Sequence, residues 1–325
     1  MLLDKFTKAL TITRLIPLLC LSAAASAEEG GAGHHFPGSI SSFIDGVPHE
    51  EQLVTRLDTF YYDGGFRSGV AVPIGGLSAL NVDVEITTVA FTSVWRPPFE
   101  LGGPWSYAAG ITVPLVDLKI AGDLNIQPDE AGPTLRRSDT TTGLGDIVLY
   151  PFMLNYKHSD ALNYNFRVNL YAPTGDYEAG KLANAGRNYW SLAPIFGAVY
   201  FSPENGREFT AYLGATFNEE NGATDYESGT QAFIEATAAQ HLPCFGAVCG
   251  IGLAGYWYEQ LNGDSGEGAR FGDFEARVKG FGPTVSYIRE FGDTQLAAEL
   301  KWISEFDVER RAEGDLIYLK VVLAI

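Results

Sequence analysis

Residues 163–201, NYNFRVNLYAPTGDYEAGKLANAGRNYWSLAPIFGAVYF, read as strand, exposed loop, strand. In the first part Asn163, Asn165, Arg167, Asn169 and Tyr171 alternate without a break with Tyr164, Phe166, Val168, Leu170 and Ala172. Period two marks a strand whose two faces differ. The apolar face is too long and too aromatic for a small soluble hairpin. The polar face sets an arginine among asparagines, where a soluble core would need hydrocarbon. A lipid-facing outside and a wet inside satisfy both. The loop opens on Pro173-Thr174-Gly175-Asp176, a cluster of turn formers, and the chain returns through Tyr189 and Trp190, whose rings suit a membrane interface. The stretch therefore predicts an all-β protein, a transmembrane antiparallel up-and-down β-barrel of the bacterial outer-membrane type.

Outward from this hairpin, strand candidates occupy residues 52–62, 81–95, 105–119, 144–157, 162–172, 189–201, 208–218, 231–241, 247–260, 274–289, 294–306 and 315–325. An even number, about twelve, is what a single-chain bacterial barrel requires. The links alternate in length: long at 63–80, 120–143, 173–188, 219–230, 261–273 and 307–314, tight at 96–104, 158–161, 202–207, 242–246 and 290–293. Long links face outward and tight ones the periplasm, which puts both termini on the periplasmic side of the outer membrane.

At the start of the chain Lys5, Lys8 and Arg14 precede an apolar run over 15–21, and Ala25-Ser26-Ala27 offers a cleavage site, so residues 1–27 read as a signal peptide. Leu19 before Cys20 argues against a lipoprotein anchor. Residues 28–50 are rich in Gly, Ser and Pro, carry His34-His35-Phe36-Pro37 and have no period; they read as a periplasmic or luminal segment that partly plugs a barrel formed by 51–325. No later run is long and apolar enough for a membrane helix.

The composition agrees with a barrel: 19% charged residues, with 37 Gly, 16 Tyr and 20 Phe. A net charge of −18 excludes nucleic acid as a partner and disfavours acidic substrates. Cys244 and Cys249, in HLPCFGAVCG, sit at a tight link where an oxidising periplasm would let them close a disulfide; two free thiols is the alternative reading. The acidic outer loops, with Asp129, Glu130, Asp176, Glu219 and Glu220, are either ordinary solvated loops or sharers of divalent cations with lipopolysaccharide phosphates. Gly263-Asp264-Ser265-Gly266 resembles a serine-protease nucleophile motif without its continuation, and no base and orienting group assemble around it, so no catalytic residue is assigned. Vicinal histidines without helical spacing are weak ligands, and neither a metal nor a cofactor is expected.

Strand parity turns Arg56 and Asp58, Asp83 and Glu85, Arg167, Glu235, Glu275, Arg277 and Lys279, and Glu299, Lys301 and Glu305 inward. Such mixed charge must interlock, which disfavours a wide water-filled pore. A departure from clean alternation at Gly280-Phe281-Gly282-Pro283 predicts a bulge that resets the register. If the polar faces line a passage, its candidates are Arg56, Arg167, Asn169, Tyr171, Arg277 and Lys301 on the wall and His34, His35 and Phe36 on the leading segment.

YAPTGDYEAGKLANAGRNYW resembles the signature hairpin of the outer-membrane family named for the putative MetA pathway of phenol degradation. GAGHHFPGS, TGLGDIVLYPFML, TFNEENGATDYESG, YWYEQLNGDSGEGA and FDVERRAEGDLIYLKV are similar to family blocks in family order, so the likeness covers nearly all of the chain after residue 27. It implies a barrel, and a channel that passes small hydrophobic or aromatic compounds by facilitated diffusion. The expected partners are outer-membrane lipid, lipopolysaccharide, the barrel assembly machinery and those solutes. A structural or adhesive surface barrel acting through its loops is the alternative. The chain departs from barrels of this type at its end, Leu323-Ala324-Ile325, where an aromatic is usual.

Overall fold

The computed structural model describes residues 33–48, 52–66, 69, 72–74, 77–98, 101–125, 134–269 and 275–324. The proposed signal peptide, residues 1–27, and the start of the leading segment lie outside them. The strands are β1 (Gln52–Gly65), β2 (Val72–Ile74), β3 (Leu77–Arg96), β4 (Trp105–Asn125), β5 (Thr134–Leu144), β6 (Ile147–Lys157), β7 (Leu162–Ala172), β8 (Ser191–Phe201), β9 (Arg207–Asn218), β10 (Gln231–Cys244), β11 (Ala247–Gln260), β12 (Arg277–Phe291), β13 (Thr294–Glu309) and β14 (Glu313–Ala324). Each pairs antiparallel with its neighbour, and β1 on β14 closes the sheet on itself. β2 is a flap paired only to β3, while β5 and β6 pair with successive halves of β4 and make one wall strand. The wall is thus a closed antiparallel barrel of twelve strands.

Alternation along β7 is as the sequence predicts, with Asn163, Asn165, Arg167, Asn169 and Tyr171 buried and Phe166 exposed. The same parity round the wall leaves Phe91, Leu213, Leu253, Phe281 and Leu319 on the outer surface, an apolar belt of the kind lipid requires. Closure brings inward rings against small residues of the next strand. Tyr212 faces Gly197 and Tyr256 faces Gly280 across the ladder, and a Cβ on either glycine would collide with the ring.

Several expectations fail where strands outrun the membrane. The region read as the link 120–143 is largely ordered sheet: β4 continues to Asn125 and returns as β5. TLRRSDTTTGL shows no apolar face because both its faces are wet. Asp83 and Glu85 point outward, with Arg136 on Asp83 and Lys119 4.0 Å from Glu85. Arg277 and Lys279 also face out, where Arg277 lies 3.1 Å from Glu309 and Lys279 2.7 Å from Asp307. Glu275 is exposed and precedes β12. Arg277 is therefore not a pathway residue: its charge sits at the rim, beyond lipid, where an outward cation finds carboxylates. Alternation through Gly280–Pro283 is unbroken, and the irregularity falls on β13, where Asp307, at φ 52, and Val308 together oppose one residue of β12.

Cys244 and Cys249 are joined across the tight β10–β11 turn, with a Cα–Cα distance of 5.7 Å. Unreduced protein is accordingly expected to block alkylation at both and to yield two reactive thiols after reduction, read by mass spectrometry. The face assignment has its own test. Phe166→Lys places a charge against lipid at a cost of ~2–4 kcal/mol near the midplane, so it should impair assembly, scored as heat-modifiable mobility. Asn165→Lys points inward and should be tolerated better; equal assembly of the two would invert the assignment.

Candidate functional site

Residues 33–48 run through the barrel interior. Gly33 lies against Tyr258 and Gln231 at the end carrying the long links, and Phe43 packs on Phe201 and His241 at the end carrying the tight ones. The segment enters β1 from the tight-link end, so both ends of the described chain do not lie on one rim: Ala324 stands at the tight-link end and Gly33 at the other.

The segment cannot form a core of its own, and its two histidines and its one acid find their partners on the wall and its connections. At the long-link end His34 Nε2 is 2.9 Å from Asp146 Oδ2, Nδ1 is 2.7 Å from Ser191 Oγ, and the ring stacks on Tyr171 with centroids 5.0 Å apart. Asp146, between β5 and β6, also accepts the backbone N–H groups of Gly175 and Arg187, tying the signature hairpin to the segment. The set Ser191, His34, Asp146 has the composition of a hydrolase triad. Yet the serine hydroxyl donates to Asn218 Oδ1 at 2.6 Å, so its proton is not directed at the histidine and the set works as a tether.

Further down, His35 Nε2 lies 2.6 Å from Glu235 Oε1 and stacks on Phe233, while the Ile40 N–H donates to the other oxygen of Glu235. Gly38, at φ 86, passes between Tyr256 and Ile303 where a side chain would crowd both. Its carbonyl accepts from Lys301 Nζ at 2.7 Å, as does Ser41 Oγ at 2.9 Å. A 3-10 turn, Phe43–Asp45, ends the descent; the Phe43 N–H donates to Glu208, itself 2.8 Å from His241. Asp45 is fully enclosed. It takes Lys320 Nζ at 2.6 and 2.7 Å on its two oxygens, Arg56 Nη1 at 3.0 Å and the N–H groups of Ser41 and Ser42, while its carbonyl accepts from Arg167.

Four cavities lie between the segment and the wall, each sharing lining residues with the next. The first is lined by Phe36, Phe60, Tyr62, Ile86, Leu118 and Tyr189, with Arg187, Arg311 and Glu305 among them. Glu305 accepts from the hydroxyls of Tyr62 and Tyr256 at 2.9 and 2.7 Å. The second shares Phe36, Ile86 and Leu118 with the first and adds Asp58, Thr88, Tyr150, Asn169 and Tyr171. A third and narrower one meets the second at Ile40, Arg56 and Tyr150 and is lined by Arg167. A fourth opens among Asn155, Asn163, Asn165, Glu290 and Asp293 at the tight-link end.

Of the residues expected to line a passage, His34, His35, Phe36, Arg56, Asn169 and Tyr171 line the second cavity and Arg167 the third, while Lys301 is enclosed as an anchor of the segment. Asp45 and Lys320 were not anticipated. Both could have been singled out: Asp45 is the one acid between Gly30 and Pro48, and Lys320 the one charge within the apolar run of β14. Among the described residues no cluster of three metal-ligating side chains forms.

Comparison with solved structures finds an outer membrane channel of the COG4313 group from Pseudomonas putida F1, at 16% identity and a TM-score of 0.61, over 90% of this chain and 100% of that one. The beta domain of the Bordetella autotransporter BrkA is similar at 10% identity and a TM-score of 0.46, over 84% and 99% of the two chains. A FadL homologue from Pseudomonas aeruginosa gives 10% identity and a TM-score of 0.37, over 92% and 97%. No curated protein sequence matches. Residues 63–321 match the family model described as putative MetA-pathway of phenol degradation, and the chain belongs to that family.

Proposed function

We propose that this outer-membrane barrel is a channel for facilitated diffusion of small hydrophobic or aromatic compounds, in the manner of phenol-degradation uptake, and that it binds and releases them without chemistry. The observation that carries the reading is the first cavity: it opens at the long-link rim, is walled by aromatic and aliphatic side chains, and leads into three further cavities that reach the opposite rim. A solute of about one ring buries apolar surface on entry, worth roughly 25 cal/mol per Å². It then meets Tyr150, Asn169 and Tyr171, which offer ring faces and hydrogen bonds to a hydroxyl group. The long links face the medium and the tight links the periplasm, and the luminal segment restricts passage.

Proteoliposomes carrying the purified barrel are expected to take up phenols faster than sugars of similar size, with alkanes as the apolar reference. Absence of flux for every class would leave the adhesive or structural reading in its place. Deleting residues 30–38 while keeping Glu28 and Glu29 removes His34, His35 and Phe36 and should raise both single-channel conductance and phenol uptake. Unchanged values in a barrel that still assembles would remove restriction from the segment's role.

A further inference from the structure

The second and third cavities meet at Ile40, Arg56 and Tyr150, and Arg56 is the one charged side chain bordering both. Its neighbours there are fixed. The Ile40 N–H is held by Glu235 at 2.9 Å, and the Tyr150 hydroxyl by Thr112 at 2.9 Å. Arg56 bridges the luminal segment and the wall: Nη1 lies 3.0 Å from Asp45 Oδ1 and Nε 2.7 Å from Asp58 Oδ2.

The two carboxylates are not equivalent. Asp45 keeps Lys320 on both oxygens and the N–H groups of Ser41 and Ser42, so it remains neutralised and hydrogen-bonded if Arg56 leaves. Asp58 has a buried oxygen, Oδ1, with no partner in the protein. Its other oxygen is steadied by a chain of hydroxyls, Thr92 to Asp58 at 3.4 Å, Thr92 to Thr112 at 2.7 Å and Thr112 to Tyr150 at 2.9 Å, which runs to the far side of the junction. A guanidinium released from Asp45 can take both oxygens of Asp58, the two-point geometry arginine and carboxylate favour.

We propose that Arg56 is the gate of the passage, moving between a closed seat that bridges Asp45 to Asp58 and an open seat on Asp58 alone. No buried charge loses its last partner in either state, so the two arrangements lie close in free energy and interconvert by rotation of one side chain. The segment stays in the lumen throughout. Ejecting it would strip His34, His35, Lys301 and Lys320 of their partners together, whereas the swing exchanges one charge-assisted contact for another.

The test is ion conductance in planar bilayers, whose permeant ions make it independent of which solutes the channel favours; loss of phenol flux alone would count against the solute reading and not against the gate. Asp45→Asn weakens the closed seat and is expected to raise the open-to-closed ratio by about tenfold, the effect of one charge-assisted hydrogen bond. Asp58→Asn weakens the open seat and is expected to lower it. Arg56→Lys keeps the charge, but its ammonium ends one bond short of the Nη1 that meets Asp45 while still reaching the Asp58 oxygen held by Nε, so the closed seat weakens and the variant should behave like Asp45→Asn. Heat-modifiable mobility establishes assembly of each variant. Should Asp58→Asn fail to assemble, the other two decide. Shifts of Asp45→Asn and Asp58→Asn in the same direction, or an unchanged or lowered open fraction in assembled Asp45→Asn or Arg56→Lys, would overturn the proposal.

Discussion

Lys320 and Lys301 are fully enclosed inside the wall, and Arg56 and Arg167 stand close by. An ammonium or guanidinium removed from water is tolerated only when opposite charge and hydrogen-bond acceptors replace the solvent. The wall supplies Asp58 and Glu299 to this group, too few for its four cations. The deficit is met from the luminal segment by the Asp45 carboxylate and by the carbonyls of Gly38 and Asp45. The opposite holds on the other side of the lumen. Asp146, Glu235 and Glu208 are acids of the wall and its connections, and the segment offers them imidazole rings and backbone N–H groups. Barrel and segment are two halves of one charge-balanced interior, and removing one partner of such a buried pair costs about 3–5 kcal/mol.

This complementarity explains why the segment sits against one side of the lumen. Its polar contacts concentrate on β9, β10, β13 and β14, with Arg56 and Arg167 reaching it from β1 and β7. The side lined by β3 and β4 presents Ile86, Ala90, Val116 and Leu118, which have no hydrogen bonds to give, and there the cavities remain. The apolar stretch of the cavities is thus what the charge pattern leaves over.

The barrel was legible because period two and link length act together within the hydrocarbon layer. Asn163 to Ala172 could be sorted face by face since lipid tolerates no ambiguity there. Beyond the layer the rule lapses. Around Arg277, Asp83 and Thr134–Leu144 both faces are wet, charge ceases to mark the inside, and reading it that way turned Arg277, Asp83 and Glu85 to the wrong face. The interior was legible only in part for a different reason. His34, His35 and Phe36 stood out as chemistry within a segment that lacks a period, but the partners of the two histidines lie more than a hundred residues away, at Asp146, Ser191 and Glu235. Nothing local in the sequence pairs them.

Asp45 joins two side chains from opposite ends of the chain's wall: Arg56 on the first strand and Lys320 on the last, which stand two residues out of register across the seam where β1 meets β14. During biogenesis a sheet that lacks its final strand has no Lys320 to offer, and the turn carrying Asp45 then has half of its counter-charge. Seating of that turn is therefore coupled to completion of the cylinder. The same carboxylate that anchors the segment in the lumen also registers that the first strand has found the last, so a barrel caught half-made would be left both unsealed at its edge and with its segment half-anchored.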